Sequence, residues 1–397
     1  MTTLTDKVIT CCRDVAAFSE DAGRITRTFL SPPMRDVHRL LRAWMESAGM
    51  RVRVDAAGNL RGIYGDTAAP RLTIGSHLDT VPNAGAYDGI LGVALGIAMA
   101  ELRPKVALEV VGFSEEEGVR FGFPFIGSLA LTGALTEELL ARRDKKGISV
   151  KEALVAYGLD PADLPAAKFA PETIGYLEFH IEQGPVLESL GKPLGVVDAI
   201  AGQSRWMLTF EGRANHAGTT PMAMRRDALV AAAKWITTVE ASAAARSGLV
   251  ATVGSLEVFP NAGNVVPGEV RASLDVRHSD DLQRANAVRD LLAKAADACA
   301  ARGLGIHQEE RLNQAAVRMD SSLSRLLADA GHGLPFITSG AGHDAMAIAR
   351  HLPSAMLFLR SPGGISHHPE EAVLPDDVEE AIETGARFLK GLEARYA

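Results

Sequence analysis

His77, Asp79 and Asp88 lie together in the stretch GSHLDTVPNAGAYDG (Gly75–Gly89), and an apolar core has no use for that set. On a strand, residues i and i+2 share a face, so His77 and Asp79 are neighbours. A metal-ligating imidazole usually donates its second ring N–H to a carboxylate, which fixes its tautomer, and Asp79 stands where that partner belongs. Asp88 follows a turn and opens an apolar helix, from where a carboxylate can swing back toward His77 and bridge two cations. The competing reading makes Asp88 a helix N-cap and His77 a hydrogen-bonded core histidine. This stretch alone does not choose between them.

Three more segments carry the same residue types. SEEEGVRF sets Glu115, Glu116 and Glu117 directly after the apolar run VALEVVGF. A charge run is ordinarily a solvated loop, but sites in open α/β sheets form at the carboxyl ends of strands. Adjacent carboxylates there can divide the work, one binding a cation and its neighbour taking a proton from water. EFHIEQGPVLE places His180 in an alternating strand, where a lone histidine is more often structural than a ligand. SPGGISHHPEE sets His367 and His368 beside a glycine-rich turn, a position that packing rarely asks of two histidines. There is no H-E-x-x-H helix, no G-x-S-x-G elbow and no G-x-G-x-x-G after a strand, which argues against a single-zinc protease, a serine hydrolase and a dinucleotide enzyme.

The elements that must hold these groups are legible in outline. RLTIGSHLD reads as a strand, DGILGVALGIAMAEL as a buried helix and VALEVVGF as a nearly continuous apolar strand. That order predicts a mostly parallel sheet covered on both faces. Upstream, two helices are expected within the first sixty residues, the second around Asp36–Ala48, followed by a hairpin turning at Gly58 and Asn59. The middle differs: a strand at Trp206–Phe210, a helix at Asp227–Ala245, strands at Leu249–Val258 and Glu269–Val276, a helix at Leu282–Arg302 and a strand from Gly305. This β-α-β-β-α-β order fits a ferredoxin-like unit. With 397 residues the chain exceeds one ordinary core. The expected architecture is a discontinuous α/β domain, residues 1–204 and 316–397, with a smaller α+β domain, 205–315, inserted into it.

Composition narrows the class. Hydrophobic residues make up 47% and charged residues 23%, as in ordinary globular proteins, and a net charge of −8 argues against nucleic-acid binding. Cys11, Cys12 and Cys299 make neither a zinc spacing nor a disulfide framework. The first residues lack a signal-peptide pattern, and the apolar run Gly89–Ala100 falls short of the ~20 residues that span a bilayer. A cytoplasmic protein without nucleic-acid or membrane partners is expected.

Taken together and in this order, the motifs GSHLDTVPNAGAYDGILGV, EEEGVRFGFPFIGS, FHIEQGPVLE, GRANHAGTTPM, PNAGNVVPG, SLDVRHSD, SGAGHDAM and GISHHPEE resemble the dinuclear metallopeptidase-like amidohydrolases of the M20 clan. Within that clan they look like the hydantoinase/carbamoylase group, and the resemblance runs from about Phe29 to Pro375. It implies a mixed-sheet catalytic domain with an inserted lid and dimerisation domain. It implies two divalent ions per subunit, His77 and His180 holding one, Glu117 and His367 the other, and Asp88 bridging them. Zinc or manganese fits such oxygen and nitrogen ligands, with cobalt or nickel also suitable. The assignment to His367 rather than His368 rests on the group's S-H-x-P pattern.

The resemblance further makes Asp79 the residue that orients His77 and Glu116 the general base. His216 would polarise the scissile carbonyl, while Gln183 and Asn264 contact substrate and Arg277 takes its carboxylate. The competing readings are a surface ion pair for Arg277 and a turn-stabilising histidine for His216. His343 and Asp344 are expected near the site as a supporting pair. A homodimer through the lid is implied.

The expected reaction is hydrolysis of a ureido C–N bond in a small carboxylated substrate, with release of ammonia and CO2. Allantoate comes first because EEEGVRFGFPFIGS is closer to the allantoate enzymes than to the carbamoylases, which would place the protein in purine catabolism. The alternatives are N-carbamoyl-L-amino acids and N-carbamoyl-β-alanine. A peptidase, and a dimeric binding protein that lost the chemistry, are disfavoured by the lid motifs and by the presence of all five ligand positions together with Glu116.

Overall fold

The protein is described from a computed structural model, which defines residues 2–396. The chain divides into two compact units, residues 1–198 with 319–397, and residues 199–318. In chain order the strands among the described residues are β1 (Arg51–Val54), β2 (Leu60–Tyr64), β3 (Arg71–His77), β4 (Ala107–Phe113), β5 (Thr173–Ile181), β6 (Leu194–Ile200), β7 (Gly202–Glu211), β8 (Asn215–His216), β9 (Val250–Thr252), β10 (Leu256–Phe259), β11 (Val265–Val266), β12 (Glu269–His278), β13 (Gly305–Gln314), β14 (Val317–Arg318), β15 (Phe336–Ser339) and β16 (Ser354–Leu359).

The larger unit is built on a sheet of order β1-β2-β4-β3-β5-β16-β6, with β15 also pairing with β6. Parallel pairing is confined to the centre, where β3 joins β4 and β5, and β5 joins β16. The flanks are antiparallel, β1 with β2, β2 with β4, and β16 with β6. The sheet is therefore mixed and not mostly parallel as the strand–helix–strand order suggested. The hairpin β1–β2 adds an antiparallel edge, and the chain returns late to insert β16.

Strands β3 and β4 are buried at every residue, and β4 accordingly reads as a nearly continuous apolar run. The helix Ile90–Glu101 is buried from Ile90 to Ala100. Its close approach to the sheet depends on Gly92, where a Cβ would meet the Phe179 carbonyl oxygen at 2.1 Å. Helices Leu4–Ala16 and Pro375–Tyr396 pack against it.

The smaller unit has strand order β10-β12-β7-β13, all antiparallel, with helices Ala228–Ala244 and Asp281–Ala300 packed together. Val270, Ala272, Leu274 and Val276 of β12 are buried in alternation, and Trp235 donates its indole N–H to the Leu291 carbonyl at 2.9 Å. This is the ferredoxin-like order. The expected strand Leu249–Val258 is two pieces. β9 pairs with Asp275–Arg277 and β10 with Glu269–Ala272, and Val253–Ser255 between them belong to neither strand.

Candidate metal centre

The parallel centre of the sheet brings three motifs to one edge. β3 ends at His77, which lies in register with Phe113 at the end of β4, so the acids that follow β4 emerge beside His77. β5 runs parallel to β3 and carries His180 toward the same edge. Asp88 immediately precedes the buried helix. It is not a cap: Gly89 occupies the N-cap position and no side chain caps there.

Asp88 is the hub. Its Oδ1 lies 3.1 Å from His180 Nε2 and 3.5 Å from His77 Nε2, and its Oδ2 lies 3.3 Å from His367 Nε2. Glu117 Oε1 is 3.7 Å from His367 Nε2. Two donor sets result, His77–Asp88–His180 and Asp88–Glu117–His367, each with its ligand atoms within 4.8 Å of one another. They share Asp88. A third cluster, His77–Glu116–Glu117, puts Glu116 beside both.

The histidine tautomers are set from behind. His77 Nδ1 is 3.0 Å from the Asp79 carbonyl oxygen, and His180 Nδ1 is 2.9 Å from the Ile181 carbonyl oxygen. A carbonyl only accepts, so each Nδ1 carries a proton and each Nε2 is the nitrogen turned toward Asp88, where a cation would take its lone pair. The Asp79 carboxylate is 3.5 Å from His77 Nδ1, and its main partners are the backbone N–H groups of Glu116 at 2.9 Å and Glu117 at 3.2 Å. One side chain thus holds His77 and the acidic loop together. Gly89, at φ 72°, closes the pocket from the helix side: a Cβ there would meet the His77 ring at 2.5 Å.

The electrostatics are those of a site short of positive charge. Burial and the neighbouring Glu117 push the Glu116 carboxyl well above its ordinary range, and burial pushes Glu117 up to about 7. Burial works against a charged His77, yet hydrogen bonds to Asp79 and Asp88 carry it well above the usual imidazole value. Asp88 Oδ1 is buried without a hydrogen bond. Close carboxylates, lone pairs aimed at one point and an orphaned buried oxygen are what divalent cations relieve. The residues present fit a two-ion centre.

His367, at φ 55°, faces Asp88, whereas the His368 ring turns to accept the Glu370 N–H at 3.2 Å. Gln183 donates through Nε2 to Asp88 Oδ2 at 3.0 Å and lies 3.3 Å from His367 Nε2. His343 and Asp344 are buried behind the centre. The His343 ring is 4.5 Å from that of His180, its Nε2 is 2.9 Å from Ser339 Oγ, and burial holds it well below the ordinary imidazole value.

The remaining expected residues belong to the smaller unit. His216 Nδ1 accepts from the N–H groups of Gly218 at 3.0 Å and Thr219 at 3.2 Å, so the proton of the neutral ring sits on Nε2. The ring both stabilises its turn and keeps a donor. Asn264 is exposed, and its carbonyl accepts the Ala217 N–H at 2.9 Å. Arg277 donates to Asp275, Nε to Oδ1 at 3.0 Å and Nη2 to Oδ2 at 3.2 Å.

Two groups escaped the sequence reading. Glu178 is fully buried two residues before His180 in the chain and accepts the Ala345 N–H at 2.8 Å. Glu371 accepts the N–H groups of Tyr87 and Asp88, both at 2.9 Å. Only an acid four residues after His367 could have signalled Glu371, and its neighbour Glu370 looks the same.

This fold and edge define a hydrolase scaffold of the dinuclear metallopeptidase type, and residues 73–391 match the model of Peptidase family M20/M25/M40. The chain belongs to that family. It is similar to allantoate deiminase 2 of Glycine max, with 39% identity over 98% of this chain and 90% of that one. It is also similar to N-carbamoyl-L-amino acid amidohydrolase of Geobacillus stearothermophilus, with 40% identity over 90% and 91%. A solved hydantoinase/carbamoylase family amidase from Burkholderia multivorans superposes with a TM-score of 0.90 at 32% identity, covering 97% of both chains.

Proposed function

We propose that this protein is a metal-dependent amidohydrolase that cleaves the ureido C–N bond of allantoate, releasing ammonia and CO2. The convergence of His77, Asp88, Glu117, His180 and His367 on two donor sets sharing one carboxylate, with Glu116 alongside, carries this reading. Support for the substrate comes from the allantoate deiminase relatives. The 40% identical N-carbamoyl-L-amino acid amidohydrolase keeps that substrate class as a second reading, with N-carbamoyl-β-alanine beside it.

Two zinc or manganese ions, or cobalt or nickel in their place, would supply a Lewis acid and a water whose pKa falls from 15.7 to about 7. Glu116 is placed to accept a proton from the attacking water and to deliver it to the leaving nitrogen. Asp79 keeps Glu116 in place through its backbone N–H. His216 donates from Nε2 to the developing oxyanion. Arg277 engages the substrate carboxylate, with Asp275 pre-orienting its planar guanidinium, and Gln183 and Asn264 complete the substrate contacts.

The smaller unit acts as lid and dimer interface. Its exposed Met222, Met224, Val250, Leu256 and Phe259 support self-association. No described helix is long and apolar enough to cross a membrane, and a cytoplasmic setting is part of the proposal.

The test is ammonia release by protein stripped with chelator and reloaded with manganese or zinc, with allantoate and N-carbamoyl-L-amino acids in parallel. We expect metal-dependent turnover of allantoate. Turnover of carbamoyl amino acids alone would favour the second reading, and no metal-dependent release from either would sink both.

A further inference from the structure

We infer that Glu371 is the positioning residue that sets the bridging carboxylate, locking the Asp88 turn to the loop that presents His367. Its Oε1 accepts two consecutive backbone N–H groups, those of Tyr87 and Asp88, both at 2.9 Å. Its Oε2 lies 3.5 Å from Ser366 Oγ, which in turn lies 3.4 Å from Asp88 Oδ2. A single carboxylate thus holds the main chain of one metal-binding residue and, through Ser366, the neighbour of another.

The contact is built and not incidental. Glu371 is buried at 5% exposure and joins segments 283 residues apart. Gly85, in the same turn as Asp88, lies so close that a Cβ there would meet Glu371 Cβ at 2.3 Å. The turn is glycine where the acid presses on it. Glu371 touches neither a cation nor a substrate in this arrangement. It acts by fixing where Asp88 Oδ1 and Oδ2 point, and hence by preorganising both donor sets at once. Outer groups that orient ligands commonly alter metal affinity by about 10–100-fold.

The inference rests on the metal-centre reading, and zinc binding separates the two. Metal-free wild type, Glu371→Ala, Glu371→Gln and Gly85→Ala are titrated with zinc against a chromophoric chelator. Urea unfolding of each metal-free protein is measured in parallel. We expect two zinc ions bound by wild type and affinity lowered about 10–100-fold in Glu371→Ala and Gly85→Ala. Glu371→Gln, whose amide oxygen still accepts both N–H groups, stays within a few-fold of wild type. Lower metal-free stability in Glu371→Ala with unchanged zinc affinity would reduce Glu371 to a structural contact and overturn the inference. Should Glu371→Ala not fold, unchanged affinity in Gly85→Ala overturns it equally. No zinc uptake by wild type would instead remove the metal centre itself.

Discussion

Glu116 and Glu117 are adjacent in the loop after β4 yet face different tasks. Glu117 reaches toward His367, while Glu116 lies in the cluster with His77 and is fixed by the hydrogen bond from its own N–H to Asp79. Replacing Glu116 by Gln keeps the shape and that backbone bond and removes only the base. We expect Glu116→Gln to retain both ions and to lose about 10²–10⁴-fold in kcat. Metal content and steady-state rates measured on one preparation check this, and near-normal turnover would take the base role from Glu116. The types of these residues were legible because the acids closed an apolar strand. The grip of Glu371 was not, since one of two adjacent glutamates on a loop looks like solvated charge until the Asp88 turn, far away in sequence, is brought against it.

Between the strands, one charged group stands out. Arg61 of β2 is 2% exposed and lies 2.7 Å from Glu109 on β4 and 3.5 Å from Asp55. Alternation would have put a charge on the solvent face of a hairpin. The Pro161–Ala167 turn lies over that face, with Arg61 donating to the Ala167 carbonyl, so the charge is buried and paired instead. Removing one partner of a buried pair strands the others. We expect Arg61→Met to cost about 3–5 kcal/mol, seen as a lower urea midpoint with an unchanged denaturant slope. The helix Ile90–Glu101 and β4 were legible because each is almost wholly apolar, and β3 because its short run RLTIG leads into His77. Of the antiparallel flanks, the β1–β2 hairpin was legible from its turn at Gly58 and Asn59, whereas the pairings of β2 with β4 and of β16 with β6 were not, because their direction depends on where the chain returns and not on local composition. The division of Leu249–Val258 into β9 and β10 was marked only by a change of phase at Gly254–Ser255, where the apolar positions pass from Leu249, Ala251 and Val253 to Leu256 and Val258, and the pairing with β12 shifts by one residue there.

For the molecule as a whole, pH acts on stability through more than the metal site. His38, on the helix Met34–Ser47, is buried, and its Nε2 has no hydrogen bond. Burial, reinforced by Arg42 and Arg35, pushes its pKa down to about 4. The unfolded chain, at about 6.5, takes up the proton first. The stabilisation is therefore complete above about pH 6.5 and is lost as pH falls from there toward 4. Between pH 7 and pH 5 this amounts to roughly 2 kcal/mol, and we expect His38→Leu to flatten the urea-midpoint profile over that window by that much. Parallel profiles for the two proteins would exclude His38 as the source.

The late return of β16 has a consequence for biosynthesis. β5 and β6 are close in sequence, but in the sheet Ser354–Leu359 lies between them. Residues 199–318 form an uninterrupted unit that leaves the ribosome before β16 does. At about 5–20 residues per second, the facing edges of β5 and β6 wait on the order of ten to thirty seconds for their shared partner. During that interval the nascent chain exposes unpaired strand edges, the usual templates for aggregation. His367 emerges later still, so under the proposed ligation the centre can be filled only after that residue has left the ribosome. Ribosomes stalled in the stretch before Ser354 would release chains with a finished inserted unit and an open sheet. Such chains, more than any full-length variant, would depend on chaperones.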